Sequence, residues 1–100
     1  GYELTTEAQE DLEAIAEYIA VEGSVERAIR VLSDFRDAFR KLAEMPGMGH
    51  FREDLLAQRF KFWTIYSYVI AYRWDVKPIQ VIAIVHGARN LEVFFERRSR

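Results

Sequence analysis

Residues 60–91 read FKFWTIYSYVIAYRWDVKPIQVIAIVHGARNL, and the reading of this stretch decides the fold. Aromatic and β-branched residues dominate it, and two turn-forming interruptions divide it. Three strands are predicted, Phe60–Ile65, Tyr68–Trp74 and Ile79–His86, with a tight turn at Tyr66-Ser67 and a second one over Asp75–Pro78. Links this short return each strand beside the one before, so an antiparallel meander follows. Gly87 ends the last strand, and Asn90 can cap a short terminal helix that turns Leu91, Phe94 and Phe95 inward.

Upstream of this stretch the apolar spacing is helical. Thr5 and Thr6 offer N-caps, with Thr6 and Gln9 spaced as a capping box. Ala8, Leu12, Ile15 and Ile19 then fall on one stripe, and Glu10, Glu13 and Glu17 on another. Gly23 suits a left-handed position at the end of this helix and Ser24 the next N-cap, which makes two antiparallel helices with a short link. The second helix runs from about Val25 to Glu44, with Ala28, Leu32, Phe35, Phe39 and Leu42 inward. Glu26 with Arg30 and Asp37 with Lys41 are outward pairs four residues apart. Pro46, Gly47 and Gly49 stop the helix, and a loop through His50 to Leu56 follows. Tyr2 to Leu4 is a short extended lead-in. The fold class expected is α+β: a helical hairpin packed on a small, mainly antiparallel β-sheet, with a short C-terminal helix. Residues 1–100 are expected to form one domain.

Half of the 100 residues are hydrophobic, enough for one core without metal or disulfide support, and cysteine is absent. Thiolate metal sites and cysteine nucleophiles are thereby excluded, and a reducing compartment, the cytoplasm, is expected. No apolar run approaches the roughly 20 residues that cross a bilayer, and no cleavable leader or membrane association is expected. The formal net charge is −2, with acids concentrated in the first helix and Arg97, Arg98 and Arg100 near the end. Binding to nucleic acid then requires a localised basic patch, and direct specific binding is not expected. The spacing shows no metal-ligand set and no phosphate-cradling glycine loop, so neither metal nor cofactor is expected.

Four local motifs carry a resemblance over nearly the whole chain. Thr5-Thr6-Glu7-Ala8-Gln9-Glu10-Asp11-Leu12, followed by Ile15 and Tyr18-Ile19, resembles the first helix of ParE-type toxins of the RelE/ParE toxin-antitoxin superfamily. Pro46, Gly49 and Arg52 to Leu55 resemble the family's Gly-Arg loop, and Tyr68-Val69-Ile70-Ala71-Tyr72-Arg73 its central strand. Val85-His86-Gly87-Ala88-Arg89-Asn90-Leu91 resembles its closing signature, with His50 and Asn90 standing where many members carry arginine and aspartate. The resemblance implies the toxin of a type II toxin-antitoxin system, a growth-arresting inhibitor of DNA gyrase that binds by direct protein contact. It also implies neutralisation by a cognate ParD-like antitoxin, whose other half is a DNA-binding dimer. Two other readings remain: a RelE-like ribosome-dependent mRNA endoribonuclease, or an inactive toxin kept as a binding module in an antitoxin repressor complex.

The candidate residues divide accordingly. Under the gyrase reading there is no catalytic residue. The target would be met by Arg52, Arg59, His86 and Arg89, and the antitoxin by Phe62, Trp63, Tyr66 and Phe94 in an aromatic-lined groove between hairpin and sheet. Phe60, Phe62, Trp63 and Tyr66 exceed what one face of a small sheet readily hides, which favours a partner. Under the ribonuclease reading His86 is the acid or base, with Arg89 or Arg73 on the phosphate. Strand alternation places His86 on one face with Gln80, Ile82 and Ile84. Each residue also has a structural use: His86 can bind backbone at the strand end and set the Gly87 turn, and Arg89 can tie the layers by an ion pair.

Overall fold

Burial of the strand residues on both sheet faces organises this molecule, and the computed structural model describes it over residues 1–52 and 60–98. In chain order the elements are β1 (Tyr2–Leu4), α1 (Thr6–Glu22), α2 (Val25–Glu44), a 3-10 turn (Pro46–Met48), β2 (Lys61–Ile65), β3 (Tyr68–Arg73), β4 (Ile79–His86) and α3 (Leu91–Arg98). The expected α+β class is observed, with the helical hairpin on one sheet face and α3 on the other.

The sheet has four strands in the order β1-β4-β3-β2, one more than the predicted meander. Tyr2–Leu4 runs parallel to β4, pairing Tyr2 with Ile79 and Leu4 with Val81. Three residues are too few for a periodic signal, so the sequence showed only an extended lead-in. Pairing of β2 with β3 and of β3 with β4 is antiparallel as expected. A register shift interrupts the second of these ladders: Ala71 faces Ala83, but Tyr72 faces Val81, leaving Ile82 as the extra residue of a bulge. Strict alternation therefore fails within β4. Ile79, Val81 and Ile84 enter the core beneath the hairpin, whereas Ile82, Ala83 and Val85 enter the core beneath α3, so Gln80, Ile82, Ile84 and His86 do not share one face.

The helices follow their caps closely. Thr5 caps α1 through its hydroxyl, which accepts from the Ala8 N–H, and Ser24 caps α2 by accepting from the Arg27 N–H. Gly23 is not left-handed as expected: it sits at φ −121° and ψ −98° and donates its N–H to the Ile19 carbonyl. The connection holds only Gly23 and Ser24, because Ser24 caps α2 directly after the end of α1. On α2 the buried side chains are Ala28, Val31, Phe35, Ala38, Phe39 and Leu42, while Leu32 packs at the margin. Asp37 reaches Arg40 at 3.2 Å on the exposed face. Asn90 caps α3 as predicted, accepting from the Val93 N–H, and Leu91 and Phe95 are its buried residues.

Tyr72 locks the end of α2 to the sheet. Its ring lies fully in the core, and its hydroxyl accepts from the Gly49 N–H at 3.0 Å and donates to the Pro46 carbonyl at 2.7 Å. Gly49 is required for this approach, since a β-carbon there would come within 2.8 Å of the tyrosine ring. Burial also raises the Tyr72 pKa above its ordinary value of 10.0. The folded state thus holds the phenol proton more tightly than the unfolded chain does, so this contribution is full below about pH 10 and is lost as pH rises further. Tyr72→Phe leaves the Gly49 N–H and Pro46 carbonyl without that partner and is expected to cost about 1–3 kcal/mol in urea titrations. Wild-type stability should fall more steeply above about pH 10 than that of the Phe variant.

Candidate functional site

Where the hairpin leaves the sheet, α1 and the start of α2 face the ends of β3 and β4 across an open groove of about 880 Å³. Ile15, Ile19 and Val31 form its apolar wall, with Tyr18 at the rim and 63% exposed. Ile84, Val85 and His86 line it from the sheet, with Tyr66, Ser67 and Tyr68 from the β2–β3 turn. Arg27, Arg30 and Arg89 add positive charge, against Asp11 and Glu22.

Two local constraints shape this groove. In the two-residue turn between β2 and β3, Tyr66 has φ 55°, the left-handed region, where a β-carbon crowds the backbone at a cost of about 1–2 kcal/mol. Its hydroxyl donates to the Asp34 carboxylate on α2, which fixes the turn against the hairpin and raises the Tyr66 pKa above 10.0. His86, at the end of β4, sets its ring edge-on to Tyr68 with centroids 5.5 Å apart. Its Nδ1 accepts from the Ala88 N–H at 3.1 Å, while its backbone carbonyl accepts from the Arg89 N–H at 3.0 Å. The imidazole thus shapes the Gly87 turn, the structural use foreseen for it.

The second constraint lies at the edge of β4. Strand β1 ends at Leu4, so beyond Val81 that edge has no neighbouring strand. Side chains take its place: Asp11 Oδ2 accepts from the Ile84 N–H at 3.0 Å, and Arg98 Nη1 donates to the Ile82 carbonyl at 2.9 Å. The same Arg98 Nη1 and Asp11 Oδ2 are 3.1 Å apart, Nη2 reaches Asp11 Oδ1 at 3.3 Å, and Nε reaches Glu7 at 3.2 Å. One guanidinium therefore ties α3 to α1 around the sheet edge. Phe94 lies against both Arg98 and Arg89, at 4.6 and 4.8 Å from the ring centre.

The residues singled out in the sequence are not all brought together. His86, Arg89 and Tyr66 meet in the groove. Arg73 stands at the far end of β3, about 17 Å along the strand from Tyr68 at ~3.3 Å per residue, where it lies 3.7 Å from Asp75. Phe62 is 3% exposed and packs edge-on against Phe95 beneath α3, so it is a core residue and not part of the groove. Trp63 points to the other face, packs at the margin of the main core and stacks on His50. The aromatic excess is thus shared between two covered faces, which the expectation of one covered face did not foresee. Phe94 is partly buried between its two arginines outside the groove. Arg52 is partly buried and engaged within the chain, and Arg59 lies outside the described residues. Among the described residues no three His, Cys, Asp or Glu side chains converge as a metal site, and no helix is long and apolar enough to cross a membrane.

Sequence reasoning did not single out Asp11, Arg98, Arg27, Arg30 or Tyr68 for the groove and its edge. Asp11 is one of several acids on α1, and only the endpoint of β1 distinguishes it. The model of one family, described as the ParE toxin of the type II toxin-antitoxin system parDE, matches residues 2–91. This chain belongs to the ParE toxin family. It is 30% identical over 89 residues to the toxin ParE1 of Caulobacter vibrioides, covering 89% of this chain and 91% of that protein. A solved structure of the chromosomal ParDE system from P. aeruginosa shares the fold, with a TM-score of 0.73 and 22% identity over 86% of this chain and 94% of that one. The family places this chain as the toxin component of such a system, as the motifs in the first helix, the loop after the second, the central strand and the closing segment implied.

Removal of Arg98 tests the edge closure. Arg98→Ala leaves the Asp11 carboxylate and the Ile82 carbonyl without their partner, in a site where the arginine side chain is 14% exposed. Chemical denaturation is expected to show a loss of about 2–4 kcal/mol, with Arg98→Lys in between because it keeps the charge without the fork.

Proposed function

We propose that this toxin arrests growth by binding DNA gyrase through protein contact, without catalysing a reaction, and that a ParD-like antitoxin silences it in the cytoplasm. The observation that carries the reading is the family match over residues 2–91, joined to a site whose only histidine is occupied in turn formation. A ribonuclease of the alternative kind needs a base, an acid and cations gathered on one phosphate. Arg73, one of its candidates, stands at the opposite end of the β3–β4 ladder from His86. The mildly acidic balance of the chain also fits a protein target better than the ribosome.

For the antitoxin, the groove offers an apolar wall of Ile15, Ile19 and Val31 under the exposed Tyr18, with arginines along its rim. A segment that is disordered alone can fold there and cover this surface. The antitoxin side chains expected are apolar toward α1 and acidic toward Arg27, Arg30 and Arg89.

The ribonuclease reading is favoured by one arrangement: His86 and Arg89 do share the groove with Arg27 and Arg30. A plasmid supercoiling assay separates the two. Purified, antitoxin-free toxin is expected to inhibit gyrase. Normal supercoiling together with growth arrest and new cleavage ends inside coding transcripts would establish the ribonuclease instead. Absence of growth arrest with antitoxin binding intact would identify a retired toxin. On the antitoxin side, Tyr18→Ala is expected to weaken binding by about 1–3 kcal/mol in calorimetry while leaving the fold intact.

A further inference from the structure

Two large rings stand exposed at the end of β3 remote from Tyr68 and the groove. Phe51 is 48% and Trp74 38% exposed, and they meet edge to face with centroids 6.0 Å apart. Trp74 begins the β3–β4 turn just past Arg73, and Phe51 follows the 3-10 turn at the end of α2. Single exposed aromatics are ordinary on a protein surface, whereas a contacting pair drawn from two separate loops forms a patch.

Both rings are held in place. His50, next to Phe51, exchanges two backbone hydrogen bonds with Phe62 on β2, at 2.9 and 2.7 Å. Lys61, the neighbour of Phe62, sets its ammonium 4.7 Å from the Phe51 ring centre and 5.3 Å from that of Trp74. The same Nζ donates to the Gly47 carbonyl at 3.2 Å and to the Gly49 carbonyl at 3.5 Å. Lys61 thus clamps the loop after α2 to the turn after β3 and orders both rings before any partner arrives. Binding energy concentrates on aromatic anchors of this kind, because an ordered side chain loses little freedom on contact.

We propose that the Phe51–Trp74 pair is the surface through which this toxin contacts gyrase, seating an apolar side chain of the target bordered by a carboxylate. This rests on the reading that gyrase is the target, and specifies where contact is made. Charge selects a protein surface over a nucleic acid. A phosphate backbone is gripped by neutralising several charges. Here the Lys61 ammonium is already engaged by two carbonyls and two rings, and Arg73 lies 3.7 Å from Asp75. Lys77, exposed in the same turn, adds a charge that a single carboxylate can meet. Edge-to-face packing also keeps the two rings from forming parallel shelves for successive bases. Neither ring lines the groove, so target contact and antitoxin contact are separable.

Substitution separates the two surfaces. In the plasmid supercoiling assay Trp74→Ala and Phe51→Ala should each raise the half-inhibiting concentration at least about tenfold, while antitoxin affinity by calorimetry stays within about twofold. Inhibition by both variants at the wild-type concentration overturns the contact surface and leaves the gyrase reading standing. A folded variant that loses antitoxin binding as well overturns the separation of the two surfaces. Failure of the wild-type toxin to inhibit gyrase removes the gyrase reading, and this surface with it. Binding of single-stranded oligonucleotides, measured by anisotropy and lost in Trp74→Ala, would assign the rings to nucleic acid and overturn the protein contact.

Hydroxyl-radical footprinting of the unsubstituted protein covers the case in which a variant does not fold. Trp74 and Phe51 should be oxidised readily in free toxin and at least about fivefold less in the toxin–gyrase complex, since a contact that carries binding energy excludes water. Their oxidation should be unchanged in the toxin–antitoxin complex, where Tyr18 at the groove rim is protected instead. Undiminished oxidation of both rings in the gyrase complex overturns the proposal.

Discussion

Interior strand β4 must be paired on both edges, yet β1 supplies a partner for only its first half, and the rest of the molecule accommodates that shortfall. An unpaired buried backbone group costs about as much as a lost hydrogen bond, so the second half of the edge has to find donors and acceptors elsewhere. Asp11 on α1 and Arg98 on α3 provide them. Because those two helices lie on opposite sheet faces, satisfying the edge also fixes both layers to each other. The arginine fork suits this task, since one planar group serves a carbonyl, a carboxylate and a second carboxylate at once.

The bulge at Ile82 is part of the same arrangement. By adding one residue to β4 it turns Val81 and Ile84 toward the hairpin, and Ile82 and Val85 toward α3. The strand is thereby apolar in succession, not alternately, and a second core forms beneath α3 from Phe60, Phe62 and Phe95. Covering both faces leaves the edge as the part of the sheet a partner can reach. The groove lies along that edge, between the α1 stripe and the turn held by Tyr66 and Asp34. Membership in the ParE toxin family gives this geometry a biological setting, since a toxin that must be restrained needs a surface that another chain can occupy.

Much of the fold was legible. The caps Ser24 and Asn90, the hairpin stripes through Phe35 and Phe39, and the three longer strands are all stated by local chemistry and appear where expected. What the sequence hid depends on distance along the chain. Tyr2–Leu4 gains its strand only from β4, which lies more than seventy positions away, and the bulge depends on how that strand meets its neighbours. His86 and Arg89 sit together in sequence at a strand end and its turn, whereas their meeting with Tyr66 of the β2–β3 turn in one groove follows only from the pairing of β3 with β4. Phe62 was misplaced because nothing local separates a residue under α3 from one under the hairpin once alternation is broken. Asp11 looked like any solvated acid of α1, and its pairing with Arg98 spans 87 positions.

The most direct measurement is a crystal structure of this toxin bound to its antitoxin. The account predicts antitoxin residues lying between α1 and the end of β4, packed against Ile15, Ile19 and Tyr18 and near Arg27, Arg30 and Arg89. An antitoxin seated wholly on another surface, with the groove left to solvent, would contradict it.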